Sequence, residues 1–195
     1  MIGQLSHRFV GWLSKNRTIQ DTELALYEYI VRNILFSAIP IVMVLGLGIF
    51  LGCVPESLLF ILPFILLRKF CGGFHLKSRA TCIAVSVLVL AFFLVVIREI
   101  LSRELFGLTV ISVLAASALI CVLSPVDSKK RALSEKEYSF FRKTSRIVVI
   151  LLLVLFFSTA ALSYWRISVP LGMGICLTAV LQIPCIVEPV FKHAK

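Results

Sequence analysis

The sequence predicts an all-α polytopic membrane protein with about six transmembrane helices and an N-terminal interfacial amphipathic helix. Three observations predict it. The mean hydropathy is +1.02, and only 15% of the 195 residues are charged, against about 25% in a soluble domain. The apolar residues gather into runs of near-span length. A hydrocarbon core about 30 Å thick needs roughly 20 residues of helix, with every backbone N–H and C=O satisfied internally. Finally, Lys and Arg alternate between successive connections as the positive-inside rule requires.

The N-terminal stretch carries Ile2, Leu5, Phe9, Trp12 and Leu13 at helical spacing, with Arg8 and Lys15 elsewhere around the axis, the pattern of an interfacial helix. Met1 to Arg17 mixes four basic or imidazole side chains with apolar ones and lacks a compact apolar centre. It does not read as a cleavable signal peptide, so the whole chain is expected to be mature protein. Thr18 and Asp21 are cap candidates for a helix running through Ala25 and Tyr29. Five segments approach or reach span length: Asn33 to Val54, Thr81 to Ile97, Leu105 to Ser124, Ile147 to Trp165 and Ser168 to Val187. A sixth, Ser57 to Leu67, is apolar but short and contains Pro63. It spans by borrowing flanking residues, or it is re-entrant.

Counting six crossings, Arg8, Lys15, Arg17 and Arg32 precede the first span, and Arg68, Lys69, Lys77 and Arg79 follow the second. The connection after the fourth holds Lys129, Lys130, Arg131, Lys136, Arg142, Lys143 and Arg146, and the tail holds Lys192 and Lys195. Of the 20 Lys and Arg residues, only Arg98, Arg103 and Arg166 fall on the other side. Both termini and both basic connections are therefore expected in the cytoplasm, against an anionic inner leaflet. The chain is expected to form one membrane-embedded domain, residues 1–195. Its parts are an N-terminal region 1–32, a loop 68–81 and a basic loop 125–146.

A net charge of +10 raises nucleic acid as a partner. The basic residues lie in short stretches between apolar runs, with no polar domain to track phosphates, so nucleic acid is excluded as a class. Cys53, Cys121, Cys176 and Cys185 lie in or beside apolar runs and read as small hydrophobes. No metal-type spacing and no cofactor motif appears.

The departure from lipid-facing helix is Arg68-Lys69-Phe70-Cys71-Gly72-Gly73-Phe74-His75-Leu76-Lys77-Ser78-Arg79-Ala80-Thr81-Cys82. A cysteine nucleophile acts as thiolate, an adjacent imidazole accepts its proton, and surrounding positive charge favours the anion. His75 and Cys82 supply such a pair. On one straight helix their seven-residue separation amounts to about 10 Å along the axis, so the dyad requires a fold-back or kink between them. Gly72 and Gly73 permit tight turning and close approach of a substrate backbone. The bland alternative is an interfacial histidine and a packing cysteine. Cys71 is a rival thiol, ranked second because it precedes the glycines. A second departure, Pro125 to Arg131, serves as a positive-inside anchor, as a site capturing an acidic peptide segment, or as both.

These features, in this order, resemble the accessory gene regulator B (AgrB) family. The family comprises membrane cysteine endopeptidases that process the precursor of a cyclic autoinducing peptide in quorum sensing of Gram-positive bacteria. The resemblance covers nearly the whole chain. Its most specific element is Arg-x-x-x-Gly-Gly-x-His-x-x-x-x-x-x-Cys, here Arg68, Gly72, Gly73, His75 and Cys82. A second is the proline-containing opening of the later loop with Lys129, Lys130 and Arg131. The resemblance implies Cys82 as nucleophile and His75 as general base, without cofactor or metal. It implies substrate-binding roles for Arg68, Gly72, Gly73, Lys129, Lys130 and Arg131, and an AgrD-like propeptide as substrate. It is compatible with a homodimer.

Two other classes compete. A small transporter or peptide exporter would carry ionisable groups within its spans, where this chain offers only Gln182 and several Ser and Thr residues. A non-catalytic scaffold would have no need of His75 with Cys82.

Overall fold

The computed structural model describes residues 7, 10–11, 24–72, 79–126 and 134–184, and all the regular elements among them are helices. They are α1 (Leu24–Leu51), α2 (Val54–Cys71), α3 (Arg79–Ser102), α4 (Phe106–Leu123), α5 (Glu135–Ala161) and α6 (Trp165–Val180). The chain is a polytopic all-α membrane protein. Three of its helical stretches, Ile83–Ser102, Phe106–Leu123 and Glu135–Ala161, are long and apolar enough to cross a bilayer. Large apolar side chains stand exposed on the outside of the helices, among them Phe50, Phe92, Ile111, Leu151 and Val122. An apolar surface of that extent needs lipid as its solvent.

The chain divides into two compact units. Residues 1–43 form the first. In it, His7, Val10 and Gly11 are helical, Val10 is buried, and the His7 imidazole lies 3.6 Å from the Glu28 carboxylate at the start of α1. The apolar stripe expected over Ile2, Leu5, Phe9, Trp12 and Leu13, and the cap candidates Thr18 and Asp21, lie outside the described residues.

Residues 44–195 form the second unit, which holds the last two turns of α1 and helices α2 to α6. The last two turns of α1 end at Gly52, whose φ of +67° is the left-handed conformation that terminates a helix. Pro55 lies in the first turn of α2, where a missing N–H costs nothing. The short apolar run Ser57 to Leu67 lies within a continuous helix of 18 residues, about 27 Å long. Flanking residues extend it at both ends, Pro63 does not interrupt it, and it does not turn back.

Helix α6 is the centre of the bundle: every residue from Ser168 to Ala179 is buried. A Cβ on Gly172 would collide with Val113 and Phe156, and one on Gly174 with the backbone of Phe60 and the ring of Pro63. The two glycines thus let α4 and α5 approach one face of α6 and α2 another, the small-residue packing by which helices associate in lipid. Phe60, Leu67, Leu94, Ile120, Phe156 and Ile175 fill the interior, and Phe60 stacks on Phe93 of α3 at 5.8 Å.

The connection 125–146 is shorter than the sequence suggests, because its second half is helix. Ser134 and Glu137 form a reciprocal capping box that starts α5 at Glu135, and each satisfies a backbone donor at the helix start. Among residues 68–81, likewise, Arg68 to Cys71 end α2 and Arg79 to Thr81 begin α3.

Helices α2, α4 and α6 run in the same direction. Their starts share one end, where Arg166 meets Glu56 at 3.0 Å and Trp165 stacks on Phe106 at 4.3 Å. Their other ends meet around Gln182.

Candidate active site

Cys71, Gly72, Ser124, Val126 and Gln182 make this second meeting point. The Val126 N–H donates to the Cys71 carbonyl at 3.0 Å. The Gln182 amide donates to the Ser124 hydroxyl at 2.8 Å and to the same Cys71 carbonyl at 3.5 Å. All three of Cys71, Ser124 and Gln182 are buried. A glutamine side chain so enclosed needs partners, and its donor end finds them on the exits of α2 and α4. Its Oε1 has no partner among the described residues.

Gly72 is fixed by conformation and by space. Its φ of +70° and ψ of −157° belong to a region open essentially only to glycine. A Cβ there would lie 2.6 Å from the Val126 carbonyl oxygen. The residue that opens the Gly-Gly segment is thereby pressed against the strand of chain that opens the basic connection. Arg68 donates from its guanidinium to the Gly72 carbonyl at 3.4 Å, where a cation also complements the C-terminal end of the α2 dipole. Phe70 and Phe141 rings lie 6.5 Å apart, tying the end of α2 to the early turns of α5. Arg146 donates to the Cys121 carbonyl at 3.3 Å, closing the exposed C-terminal end of α4 in the same way.

Arg68 and Gly72 are thus brought together. Cys82 lies on the first turn of α3, and its side chain lies outside the described structure. His75, Gly73, Lys129, Lys130 and Arg131 also lie outside the described residues. The last described residues before these two segments, Gly72 and Val126, are adjacent.

Cys71, the rival thiol, lies past the apolar run and after Arg68 and Lys69, yet it is fully buried. Burial pushes its thiol above the usual range, and the Ser124 hydroxyl and Arg68 guanidinium offset this only in part. A buried, protonated thiol is a poor nucleophile. Cys53, Cys71, Cys121 and Cys176 are free thiols. Among the described residues no group of three His, Cys, Asp or Glu is gathered to hold a metal ion.

Gln182 and Ser124 are the residues that sequence reasoning undervalued. The signal was a lone amide in an apolar run, which is costly in a bilayer unless it is bonded. Nothing in the sequence marks Ser124 and Cys71, 58 and 111 positions away, as its partners.

A family model described as Accessory gene regulator B matches residues 6–186. No curated protein and no solved structure matches the chain.

Proposed function

The chain belongs to the accessory gene regulator B family, and from that premise we propose that it is a membrane cysteine endopeptidase acting on an AgrD-like propeptide. Membership itself supports a role in processing an autoinducer peptide. The finer reading assigns Cys82 as nucleophile and His75 as general base. The Cys82 thiolate attacks the carbonyl that joins the precursor's core to its C-terminal tail. The peptide C–N bond breaks, the departing amine takes the proton held by His75, and an acyl-thioester remains on Cys82. A thiol or hydroxyl within the substrate then gives its proton to His75 and attacks that thioester; the bond to the Cys82 sulfur breaks, closing a thiolactone or lactone and releasing the Cys82 thiolate. A thioester lies above the amide it replaces, so removal of the tail or of the ring draws the reaction forward.

The single observation that best supports this reading is the Cys71–Val126 hydrogen bond with Gly72 packed against Val126. It gives the segment bearing His75 and the segment bearing Lys129, Lys130 and Arg131 a common root. In this reading the basic cluster Lys129, Lys130 and Arg131 captures an acidic tail, an attraction that salt weakens where it is exposed. The start of α3 also suits the thiolate, because the positive end of a helix dipole favours an anion in the first turn. With both basic segments rooted at one end of the bundle, we assign that end to the cytoplasm by the positive-inside rule.

Co-expression with an AgrD-like propeptide, followed by mass analysis of the released tail, tests the reading. Cys82→Ala and His75→Ala should each abolish release while membrane insertion persists. Normal processing by Cys82→Ala would overturn the nucleophile, and release unaffected by either substitution would overturn the peptidase.

A further inference from the structure

At the end of the bundle opposite the Gly72–Val126 junction lies an open cavity of about 840 Å³. Its two chemical zones are ordered along the helices. The apolar wall is Leu94, Ile97 and Leu101 on one side of α3, with Leu94 and Ile97 deepest and fully buried. From Leu94 to Ser102 at the mouth is eight residues, about 12 Å of helix. The mouth carries Arg98 and Arg166 with the stacked rings of Phe106 and Trp165. The apolar stretches Ile83–Ser102 and Phe106–Leu123 end and begin at the mouth, which puts Arg166 and the rings where a bilayer meets water and Arg98 about one turn below it.

The two arginines differ. Arg166 is paired with Glu56, a carboxylate that is almost wholly buried. Arg98 is exposed and, among the described residues, has no carboxylate partner. The starts of α2, α4 and α6 contribute to the same mouth, and none has a side-chain cap. Their unpaired N–H groups add positive potential to that of the arginines. The mouth therefore suits an anion and the depth suits a hydrocarbon chain. A peptide laid along the deep wall would leave its backbone groups without partners.

We propose that this cavity binds one anionic glycerophospholipid from the leaflet opposite the Gly72–Val126 junction. Its phosphate would sit at Arg98 and Arg166, and an acyl chain would lie along Leu94, Ile97 and Leu101. The site serves as a fixed lipid ligand of the outer end of the bundle, separate from the thiol chemistry.

The test uses the full chain, purified in mild detergent and exposed to vesicles of dioleoyl phosphatidylglycerol or of dioleoyl phosphatidylcholine, then read by native mass spectrometry. One phosphatidylglycerol should stay bound at detergent concentrations that strip phosphatidylcholine. Arg98→Gln should weaken its retention about fivefold, the effect of one cation near a charged lipid surface. Arg103→Gln, which removes an equal charge outside the cavity from a residue paired with Glu99, should leave retention unchanged. Equal weakening by both substitutions, or equal retention of the two lipids, would overturn the site. Displacement by inorganic phosphate alone would assign a free anion instead, and displacement by synthetic propeptide would assign a peptide. Either result would overturn the lipid.

Discussion

Gly72→Ala tests how tightly the two basic segments are rooted. The substitution forces an L side chain into a φ of +70° and ψ of −157°, at a cost of about 1–3 kcal/mol. It also places a Cβ 2.6 Å from the Val126 carbonyl oxygen, so Val126 must move. That movement strains the bond from the Val126 N–H to the Cys71 carbonyl, worth about 0.5–1.5 kcal/mol. Taken together the native root loses roughly 2–4 kcal/mol, from about thirtyfold to several hundredfold in its equilibrium with the displaced root. Tail release, measured against the amount of protein in the membrane, should fall, by at most that factor. Gly52→Ala is the matched control. Gly52 has a similar φ of +67° but open space around the added Cβ, and it lies at the opposite end of the second unit. It should cost about 1 kcal/mol in stability and leave release unchanged. Wild-type release by Gly72→Ala, or equal losses in the two variants, would refute the argument.

Other expectations follow from the same contacts. Cys71→Ala should retain tail release, and Cys71 in the folded protein should resist alkylation, because its thiol is enclosed and burial raises it above the usual range; loss of release with Cys71→Ala in a folded protein would reassign the nucleophile. Gln182→Leu removes the donor to Ser124 and Cys71 and should destabilise the protein by about 1–3 kcal/mol, read as a lowered thermal midpoint in detergent. An unchanged midpoint would mean that the amide is not a structural node. Arg166→Ala leaves the buried Glu56 carboxylate unpaired and should cost about 1–2 kcal/mol, the exposure of Arg166 keeping this below the loss of a fully buried pair. Restoring neutrality with Glu56→Gln in the same chain should recover most of the loss.

Much of the architecture was legible in the sequence, because a bilayer imposes a length and a composition that single residues reveal. The run Thr81 to Ile97 became the core of α3, and Leu105 to Ser124 became α4 almost to the residue. Several elements exceeded their apolar runs, two of them for local reasons visible at their ends. Proline at the start of α2 and Arg68 and Lys69 at its end are good helix-terminal residues, so the helix runs past Ser57 to Leu67. The Ser134–Glu137 box starts α5 well before Ile147. Hydropathy is blind to both devices. At the candidate site, the residue types of the Arg68 to Cys82 segment were conspicuous in sequence. The contact of Gly72 with Val126 was not, because it joins positions that share no periodicity, and the glycine at 72 reads as a turn until its neighbour is known. Gln182 is only weak evidence for a transport pathway in the sequence; in the structure its amide donates to Ser124 and Cys71.

Intact mass of the purified protein after brief exposure to synthetic propeptide tests the central claim most directly. The account predicts a hydroxylamine-sensitive adduct whose added mass is that of the propeptide without its tail less one water, mapped by digestion to Cys82, absent in Cys82→Ala and retained in Cys71→Ala. An adduct on Cys71, or tail release with no acyl adduct on any thiol, would contradict it.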